Sequence, residues 1–330
     1  MNQGFLASHY YREIGRLGAC NSEKVVILTG STSDIGLELS RVLYNAGATV
    51  YMAARSEAKA KAAIESITAS KVKPSTVGKL VFLRIDLSEL RTVKPFVESF
   101  LALESRLDLL FNNADCASVP LSQCTAQGLE SHLGTNCAAP YLLTQLLAPT
   151  LVSTAKSLTS TPNSVREIWS SSITVDALAP RYGIRASDIE NPSPKMSLNY
   201  ALSNTGNWFL ASQLAKQLGT QSVVSITQNP GEITTPMYDG LPRAFVWLSR
   251  SLRYPPSMGV NTLLWVGLSE DITVDDGGNF AIPFGRWHPY PRKDLLEAME
   301  DKAEEAGDNP GRGRAKAFEE WCARVTREFC

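Results

Sequence analysis

Cysteine is scarce in this chain of 330 residues, and its six cysteines show neither paired nor metal-type spacing. A disulfide framework and a structural zinc site are therefore not expected. Residues 1–23 carry His9, Arg12, Glu13 and Arg16 among their apolar residues, which is unlike a signal peptide core or a membrane span. These absences predict a reduced, cytoplasmic protein with no metal ligands, no transmembrane span and an N-terminal arm over 1–23.

Excess charge of either sign is also lacking, since 32 basic residues balance 33 acidic ones. A strongly basic patch is the usual mark of nucleic-acid binding, so we expect a small-molecule partner and no nucleic acid. The chain shows no internal repeat, and its 44% hydrophobic residues can bury a sizeable core. One large domain over 24–290, followed by a helical extension over 291–330, is the predicted organisation.

The stretch VVILTGSTSDIG, residues 25–36, organises the rest of the chain. Its first four residues are apolar and mostly β-branched, which favours a strand that is covered on both faces. A glycine turn follows, and then Ile35, Leu39, Val42 and Ala46 recur at helical spacing. With a second apolar strand next in the chain, this is a βαβ unit. The turn of such a unit points backbone N–H groups at a ligand phosphate.

Strands and helices continue to alternate after this unit, with apolar runs near residues 80–85, 107–111, 165–170 and 222–227. A long helix is predicted over 129–151. Alternation of this kind predicts an α/β fold, a doubly wound parallel sheet of Rossmann type with helices on both faces. Ligands of such sheets bind at the carboxyl ends of the strands.

Five motifs occur in an order that resembles the short-chain dehydrogenase/reductases. They are TGSTSDIG, NNAD at 112–115, the serine run at 170–172, Tyr200 and NPGEITT at 229–235. The resemblance covers residues 24–283, and the ending GRWHPYPRKDLLEAM resembles a fungal, natural-product branch of the family.

The resemblance implies that Ser172 and Tyr200 hold a substrate carbonyl and donate a proton to it while hydride arrives from nicotinamide. Hydroxyl groups suit this task because the oxygen gains negative charge. Asn136 matches the asparagine that opens a helix and holds a water of the proton relay. The implied cofactor contacts are Gly30, Thr32, Ser33, Asp34, Ile35, Gly36, Arg55, Asp86, Leu87, Asn113, Ala114, Tyr200, Asn204, Pro230, Gly231, Ile233 and Thr235.

Arg55 directly follows the second strand, where the adenosine ribose of a dinucleotide would lie, and no acidic residue stands there. A guanidinium group pairs with a phosphate in a bidentate manner, so NADP(H) is favoured over NAD(H).

Three departures from the family pattern surround the predicted cofactor. Asn204 replaces the lysine four residues after Tyr200, so Tyr200 is expected to titrate near an ordinary pKa of about 10. Asp34 stands in the phosphate turn, where an inward carboxylate would repel pyrophosphate, and we interpret it as a helix N-cap. Asp115 replaces the glycine of NNAG. Together they predict weakened or lost dinucleotide use.

Residues 237–256 would form a lid over the substrate, with Leu241, Phe245, Leu248 and Leu252 on one helical face. An apolar lid favours a polyketide, terpenoid or steroid-like substrate. A core-packing helix and a membrane-surface helix are the alternatives. The two charged helical stretches after Pro291 are expected to be solvated cover.

NADPH-dependent reduction of a carbonyl on a hydrophobic secondary metabolite is the leading functional hypothesis. A non-redox isomerase, cyclase or dehydratase that uses Ser172 and Tyr200 is the second, and Asn204 keeps it open. A non-catalytic binding protein is the third. The sequence leaves the substrate undetermined and a homodimer open.

Overall fold

The computed structural model describes residues 24–69, 78–157, 159–231, 254–301 and 311–330. The predicted arm over 1–23 lies outside the described residues, as do Ile233, Thr235 and all but the last three residues of the predicted lid.

Eight strands within the described residues form one sheet in the order β3-β2-β1-β4-β5-β6-β7-β8. All neighbouring strands are parallel except β7 and β8, which form an antiparallel edge. The strands are β1 Val25–Thr29, β2 Thr49–Ala54, β3 Lys79–Arg84, β4 Leu109–Asn112, β5 Arg166–Ser170, β6 Val224–Gln228, β7 Phe280–Ile282 and β8 Arg286–Trp287.

Helices cover both faces of this sheet. They are α1 Asp34–Asn45, α2 Glu57–Thr68, α3 Val93–Leu101, α4 Ala139–Ala155, α5 Thr174–Leu178, α6 Ala186–Glu190, α7 Met196–Leu218, α8 Pro256–Leu268, α9 Lys293–Met299 and α10 Arg314–Thr326. The predicted long helix is divided, because a π-helical segment, Leu133–Ala138, precedes α4.

Alternate residues of β1 enter two different hydrophobic cores. Val25 and Ile27 pack in the core that contains α3, α4 and α7, whereas Val26 and Leu28 pack in the core that contains α1 and α8. All four side chains are buried, which explains the unbroken apolar run of this strand. The predicted doubly wound α/β fold with helices on both faces is confirmed.

The C-terminal helices belong to the core, so the expectation of solvated cover was wrong. Helix α10 packs on α7 and α4, and Phe318 and Trp321 are 2% and 8% exposed. The ring of Phe318 fills the space above Gly206, where an added Cβ would come within 2.6 Å of it. Arg292 at the start of α9 donates hydrogen bonds to the carbonyl oxygens of Val175 and Ala179. One apolar stripe of this highly charged region is therefore buried.

No helix among the described residues is long and apolar enough to cross a membrane. The same residues contain no group of three or more side chains that could hold a metal ion.

Candidate active site

The turn between β1 and α1 brings backbone unusually close to backbone. Gly30 adopts a positive φ of 67°, and a Cβ added to Gly36 would lie 2.1 Å from the Gly30 carbonyl oxygen. Only glycine allows both features. Helix α1 thereby begins directly at the end of β1. The Ser33 side chain makes no hydrogen bond to the N–H groups in the first turn of this helix.

Asp34 is not the N-cap of α1. Ser33 occupies that position with extended backbone, and Asp34 is the first helical residue, with a left-handed φ of 51°. The interpretation of Asp34 as a cap was therefore wrong. Partial burial raises the pKa of the Asp34 carboxyl group above its ordinary value, opposed by a hydrogen bond with Ser33. An aspartate tolerates this backbone conformation better than most residues.

A cleft of about 400 Å³ opens at the carboxyl ends of β1 to β4. It brings together predicted cofactor residues that are far apart in the chain: Gly30, Thr32, Arg55, Asp86, Leu87 and Ala114. Arg55 is exposed at the end of β2. The Asp86 carboxylate accepts hydrogen bonds from the Ser88 N–H at 3.0 Å and the Ser88 hydroxyl at 2.6 Å. Asp86 thus lines the cleft with its carboxylate held by Ser88.

Thr29 holds the ends of β1 and β4 together beneath the cleft. Its hydroxyl donates to the Phe111 carbonyl and accepts from the N–H groups of Asn113 and Ala114, both at 2.9 Å. The Asn113 amide donates in turn to the Thr29 carbonyl at 3.1 Å. These bonds fix the backbone that leads to Asp115.

Asn136 lies in the π-helical segment, as the opened helix predicted for it implies. Its Oδ1 accepts from the Cys116 N–H at 2.9 Å, and its Nδ2 donates to the Cys116 carbonyl at 3.2 Å and the Ser203 hydroxyl at 3.1 Å. The amide thus joins the segment after β4 to α7. The predicted role of Asn136 in holding a relay water stays a prediction.

Tyr200 stands in the first turns of α7, and its hydroxyl donates a 2.6 Å hydrogen bond to Oδ2 of Asp115. Ser172 lies near the same hydroxyl, and its Oγ accepts from the Thr174 N–H at 3.3 Å. Asn204 is 2% exposed, and its Nδ2 donates to the Tyr200 carbonyl oxygen at 2.9 Å. The structure therefore brings Ser172, Tyr200 and Asn204 together, with Asp115 connecting them to the cleft.

The expected ordinary pKa of Tyr200 was wrong. Burial first, and then the charge and hydrogen bond of Asp115, raise the pKa of Tyr200 well above its ordinary value; Asn204 and Ser172 oppose this effect. The prediction took account of the missing lysine but not of Asp115, whose carboxyl group stands where the family has a glycine. Tyr200 is consequently held as a neutral phenol.

His132 and Glu130 are site residues that sequence reasoning missed. His132 Nδ1 lies 2.6 Å from Oε1 of Glu130, and its Nε2 lies 3.1 Å from the Ala117 carbonyl oxygen. Burial acts to lower the pKa of His132, but Glu130 outweighs it and raises the pKa. Since acceptors face both nitrogens, this environment favours the protonated imidazolium form. In the sequence, the signal for these two residues was a glutamate two positions before a histidine, shortly before Asn136.

Gly231 closes the described part of the site after β6. Its φ is 93°, its N–H donates to Oδ1 of Asn229 at 2.9 Å, and an added Cβ would lie 2.8 Å from Cγ of Pro283. The preceding Pro230 is half-buried. A tight turn is thus sufficient to explain the glycine, and cofactor contacts of both residues stay a prediction.

These residues fit a dinucleotide. The backbone cradle formed by Gly30 and Gly36, the uncapped start of α1 and the arginine at the end of β2 suit a pyrophosphate and a ribose phosphate. The fold and the cleft have the form of a dinucleotide-binding α/β protein, with Tyr200 near the carboxyl ends of the strands.

Comparisons with known proteins agree. Residues 24–158 match the family model described as short chain dehydrogenase. The chain is 38% identical over 302 residues to the short-chain dehydrogenase/reductase iacJ of Pestalotiopsis fici, covering 91% of this chain and 89% of that protein. It is 42% identical over 316 residues to a short-chain dehydrogenase/reductase of Phomopsis amygdali, covering 93% and 90%.

The solved structure of the Pseudomonas aeruginosa RhlG/NADP active-site complex has the same fold, with a TM-score of 0.60 at 22% identity, covering 79% of this chain and 94% of that one. The chain belongs to the short-chain dehydrogenase/reductase family, and its similarity to fungal members confirms the resemblance drawn from its motifs. It is thus a member of an oxidoreductase family.

Proposed function

We propose that this protein is an NADPH-dependent reductase of a carbonyl group on a hydrophobic secondary metabolite. The observation that carries the proposal is the neutral Tyr200 phenol beside the cleft that gathers the predicted cofactor residues. Carbonyl reduction consumes a proton from a neutral phenol, whereas alcohol oxidation needs the phenolate as a base. A site that keeps the phenol protonated has the proton that reduction consumes and lacks the phenolate base that oxidation needs.

Bound NADPH would supply the hydride, held by the glycine turn, Arg55 and the end of β4. Ser172 would hold the substrate oxygen by a hydrogen bond, and Tyr200 would give that oxygen a proton as its negative charge develops. Asn136 contributes indirectly, because its three hydrogen bonds fix the chain segment opposite Tyr200.

An apolar substrate is supported by the described surroundings of the pair. Ile173 follows Ser172 directly and is 47% exposed, and Met196, one turn before Tyr200, is 38% exposed. Exposed apolar side chains beside catalytic hydroxyl groups favour an apolar ligand. The predicted lid over 237–256 stays a prediction, since all but its last three residues lie outside the described residues. The cytoplasmic location and the homodimer stay predictions.

The reaction is tested by incubating candidate polyketide, terpenoid and steroid-like ketones with NADPH present and rigorously absent. Product mass and absorbance of the reduced nicotinamide are followed together. We expect a product two hydrogens heavier than the substrate, formed only with NADPH and in step with its consumption. An isomeric or dehydrated product that forms equally well without any dinucleotide would overturn the proposal.

Cofactor preference depends on Arg55. We expect NADPH to bind more tightly than NADH, because the exposed guanidinium at the end of β2 can pair with the 2′-phosphate. Arg55→Ala should remove most of that preference, by about 10-fold or more, since a charge-assisted hydrogen bond contributes about 1.5–3 kcal/mol. Cofactor fluorescence titration measures all four dissociation constants.

Lys59→Ala, on the exposed side of α2, controls for the general loss of a cation near this edge of the sheet. It should change the affinity for both cofactors equally. Equal affinities of the unmodified protein for NADPH and NADH would contradict the assignment of Arg55.

A non-redox activity is the second candidate, favoured by Asn204. Its amide donates to the backbone of Tyr200, so the position holds no cation where the family has a lysine. Ser172 and Tyr200 could then serve isomerisation, cyclisation or dehydration. Product formation without dinucleotide, in the experiment above, separates this activity from reduction.

A further inference from the structure

The contact between Tyr200 and Asp115 is built into the fold. Asp115 follows β4, Tyr200 belongs to α7, and 85 residues separate them along the chain. Asn136 bonds to Cys116, which follows Asp115 directly, and to Ser203, three residues after Tyr200. These hydrogen bonds fix the two segments against each other beside the contact. The 2.6 Å bond is therefore a property of the rigid framework.

The charges around this contact do not stabilise a phenolate. Among the described residues, the titratable groups around the pair are His132, Glu130 and the thiols of Cys116 and Cys137. The His132 ring is held by Glu130 and the Ala117 carbonyl oxygen, and its centroid lies 6.1 Å from that of the Tyr200 ring. Once Tyr200 had given up its proton, its oxygen would face the Asp115 carboxyl group at hydrogen-bond distance.

Asp115 itself has access both to protein and to water. It is an exposed residue at the edge of the cleft. The protein atoms around its carboxyl group nevertheless desolvate it and raise the pKa of Asp115, while the hydrogen bond from Tyr200 and the charge of His132 oppose the increase. A carboxyl group in this position can hold a proton and exchange it with solvent.

We propose that Asp115 is a catalytic residue that acts in its protonated form. When the Tyr200 hydroxyl turns from Asp115 Oδ2 to the substrate oxygen, Asp115 passes its carboxyl proton to the Tyr200 oxygen as Tyr200 donates its own proton to the substrate. This inference rests on the proposed carbonyl reduction. The carbonyl carbon accepts hydride from NADPH, and an O–H bond forms on the substrate as the Tyr200 O–H bond breaks. The Tyr200 O–H bond forms again as that of Asp115 breaks.

At the end of this step Tyr200 is again a neutral phenol and Asp115 is a carboxylate. Asp115 then takes a proton from water at the exposed edge of the cleft. No phenolate is formed, so the site works without the lysine that Asn204 replaces. The glycine that the family resemblance gives to position 115 has no group for such a transfer.

The coupling is tested first without substrate or cofactor. Protein labelled at the tyrosine ζ carbon is titrated by ¹³C NMR, with Tyr200→Phe to assign the resonance. We expect Tyr200 to ionise at lower pH in Asp115→Asn and Asp115→Gly than in the unmodified protein. Asp86→Asn, the same substitution in the same cleft, should leave this titration unchanged. An identical Tyr200 titration in both Asp115 variants would overturn the inference.

The proton transfer is tested by kinetics. The turnover number of the unmodified protein should fall tenfold per pH unit once Asp115 loses its proton, and a proton inventory in H₂O and D₂O mixtures should show two protons in flight. Asp115→Asn should lower turnover by about 10²-fold, remove that pH dependence and show one proton. Native turnover with an unchanged inventory in Asp115→Asn would overturn the inference.

Failure of the proposed function gives a different result. A protein that reduces no carbonyl compound shows no NADPH consumption, yet the NMR titration still reports on the pair. In that case, an unchanged pH of Tyr200 ionisation in Asp115→Asn would overturn the inference. A lower pH of ionisation would support Asp115 as the proton partner of Tyr200.

Discussion

Tyr200→Phe should lower turnover by about 10²- to 10⁴-fold, the usual contribution of a positioned general acid. The substitution removes the hydroxyl that bonds to Asp115 at 2.6 Å and keeps the aromatic ring that packs near His132. NADPH affinity should therefore change far less than turnover. Steady-state kinetics with the authentic ketone, together with cofactor fluorescence titration, measure both quantities.

Tyr44→Phe is the matched control. Tyr44 lies in the last turn of α1, at the end of the helix opposite to the glycine turn. Its substitution should leave turnover close to that of the unmodified protein. If Tyr200→Phe were as active as Tyr44→Phe, then Tyr200 would not be the proton donor and both proposed reactions would lose their acid.

Glu167→Gln should raise the free energy of unfolding relative to the unmodified protein by an amount that grows with pH. Between pH 4.5 and pH 8 this gain should increase by up to about 3 kcal/mol. Glu167 lies in the middle of the sheet, on β5 between β4 and β6, and is fully buried. Neither carboxyl oxygen has a hydrogen-bond partner within bonding geometry. Burial raises the pKa of Glu167 from its ordinary 4.5 to about 7, with Ser225, Trp169 and Thr144 opposing the increase.

The sign follows from proton binding. Between pH 4.5 and about 7 the folded protein keeps the Glu167 proton that the unfolded chain releases. The free energy of unfolding must therefore decrease as pH rises through this window, and the contribution of Glu167 is constant above it. A glutamine side chain has no proton to lose, so the variant lacks this decrease.

Urea unfolding of both proteins at several pH values between 4.5 and 8 measures the difference in the free energy of unfolding. Any packing or hydrogen-bonding cost of the buried amide is the same at every pH and cancels from the trend. Glu98→Gln, the same substitution on the exposed side of α3, should not reproduce the trend. A difference that does not vary with pH would contradict the assignment to Glu167.

The sequence by itself determined the fold. Unbroken apolar runs identify strands that are covered on both faces, and the glycine turn after β1 locates the phosphate-binding end of the sheet. The spacing of Ser172, Tyr200 and Asn204 was equally informative, because the structure gathers these three residues. Periodicity and motifs are local properties of the chain, and local properties can be read without coordinates.

Other features depended on contacts between distant parts of the chain. The burial of α10 follows from an apolar stripe that includes Phe318, and Asp34 has a left-handed backbone in the turn where Gly30 and Gly36 approach each other closely. A sequence pattern names candidate residues for a helix face or a turn. The partner that covers the face, and the space left for the turn, are set by packing.

The electrostatics of Tyr200 were decided by the tertiary structure alone. Asn204 is visible four residues after Tyr200, and it suggested an ordinary phenol. Asp115 and His132 are 85 and 68 residues away along the chain, yet the ends of β4 and α7 place the Asp115 carboxyl group against the phenol and the His132 ring near it. Because the interaction between charges depends on their distance and on their exposure to water, only the folded chain determines which proton this site holds.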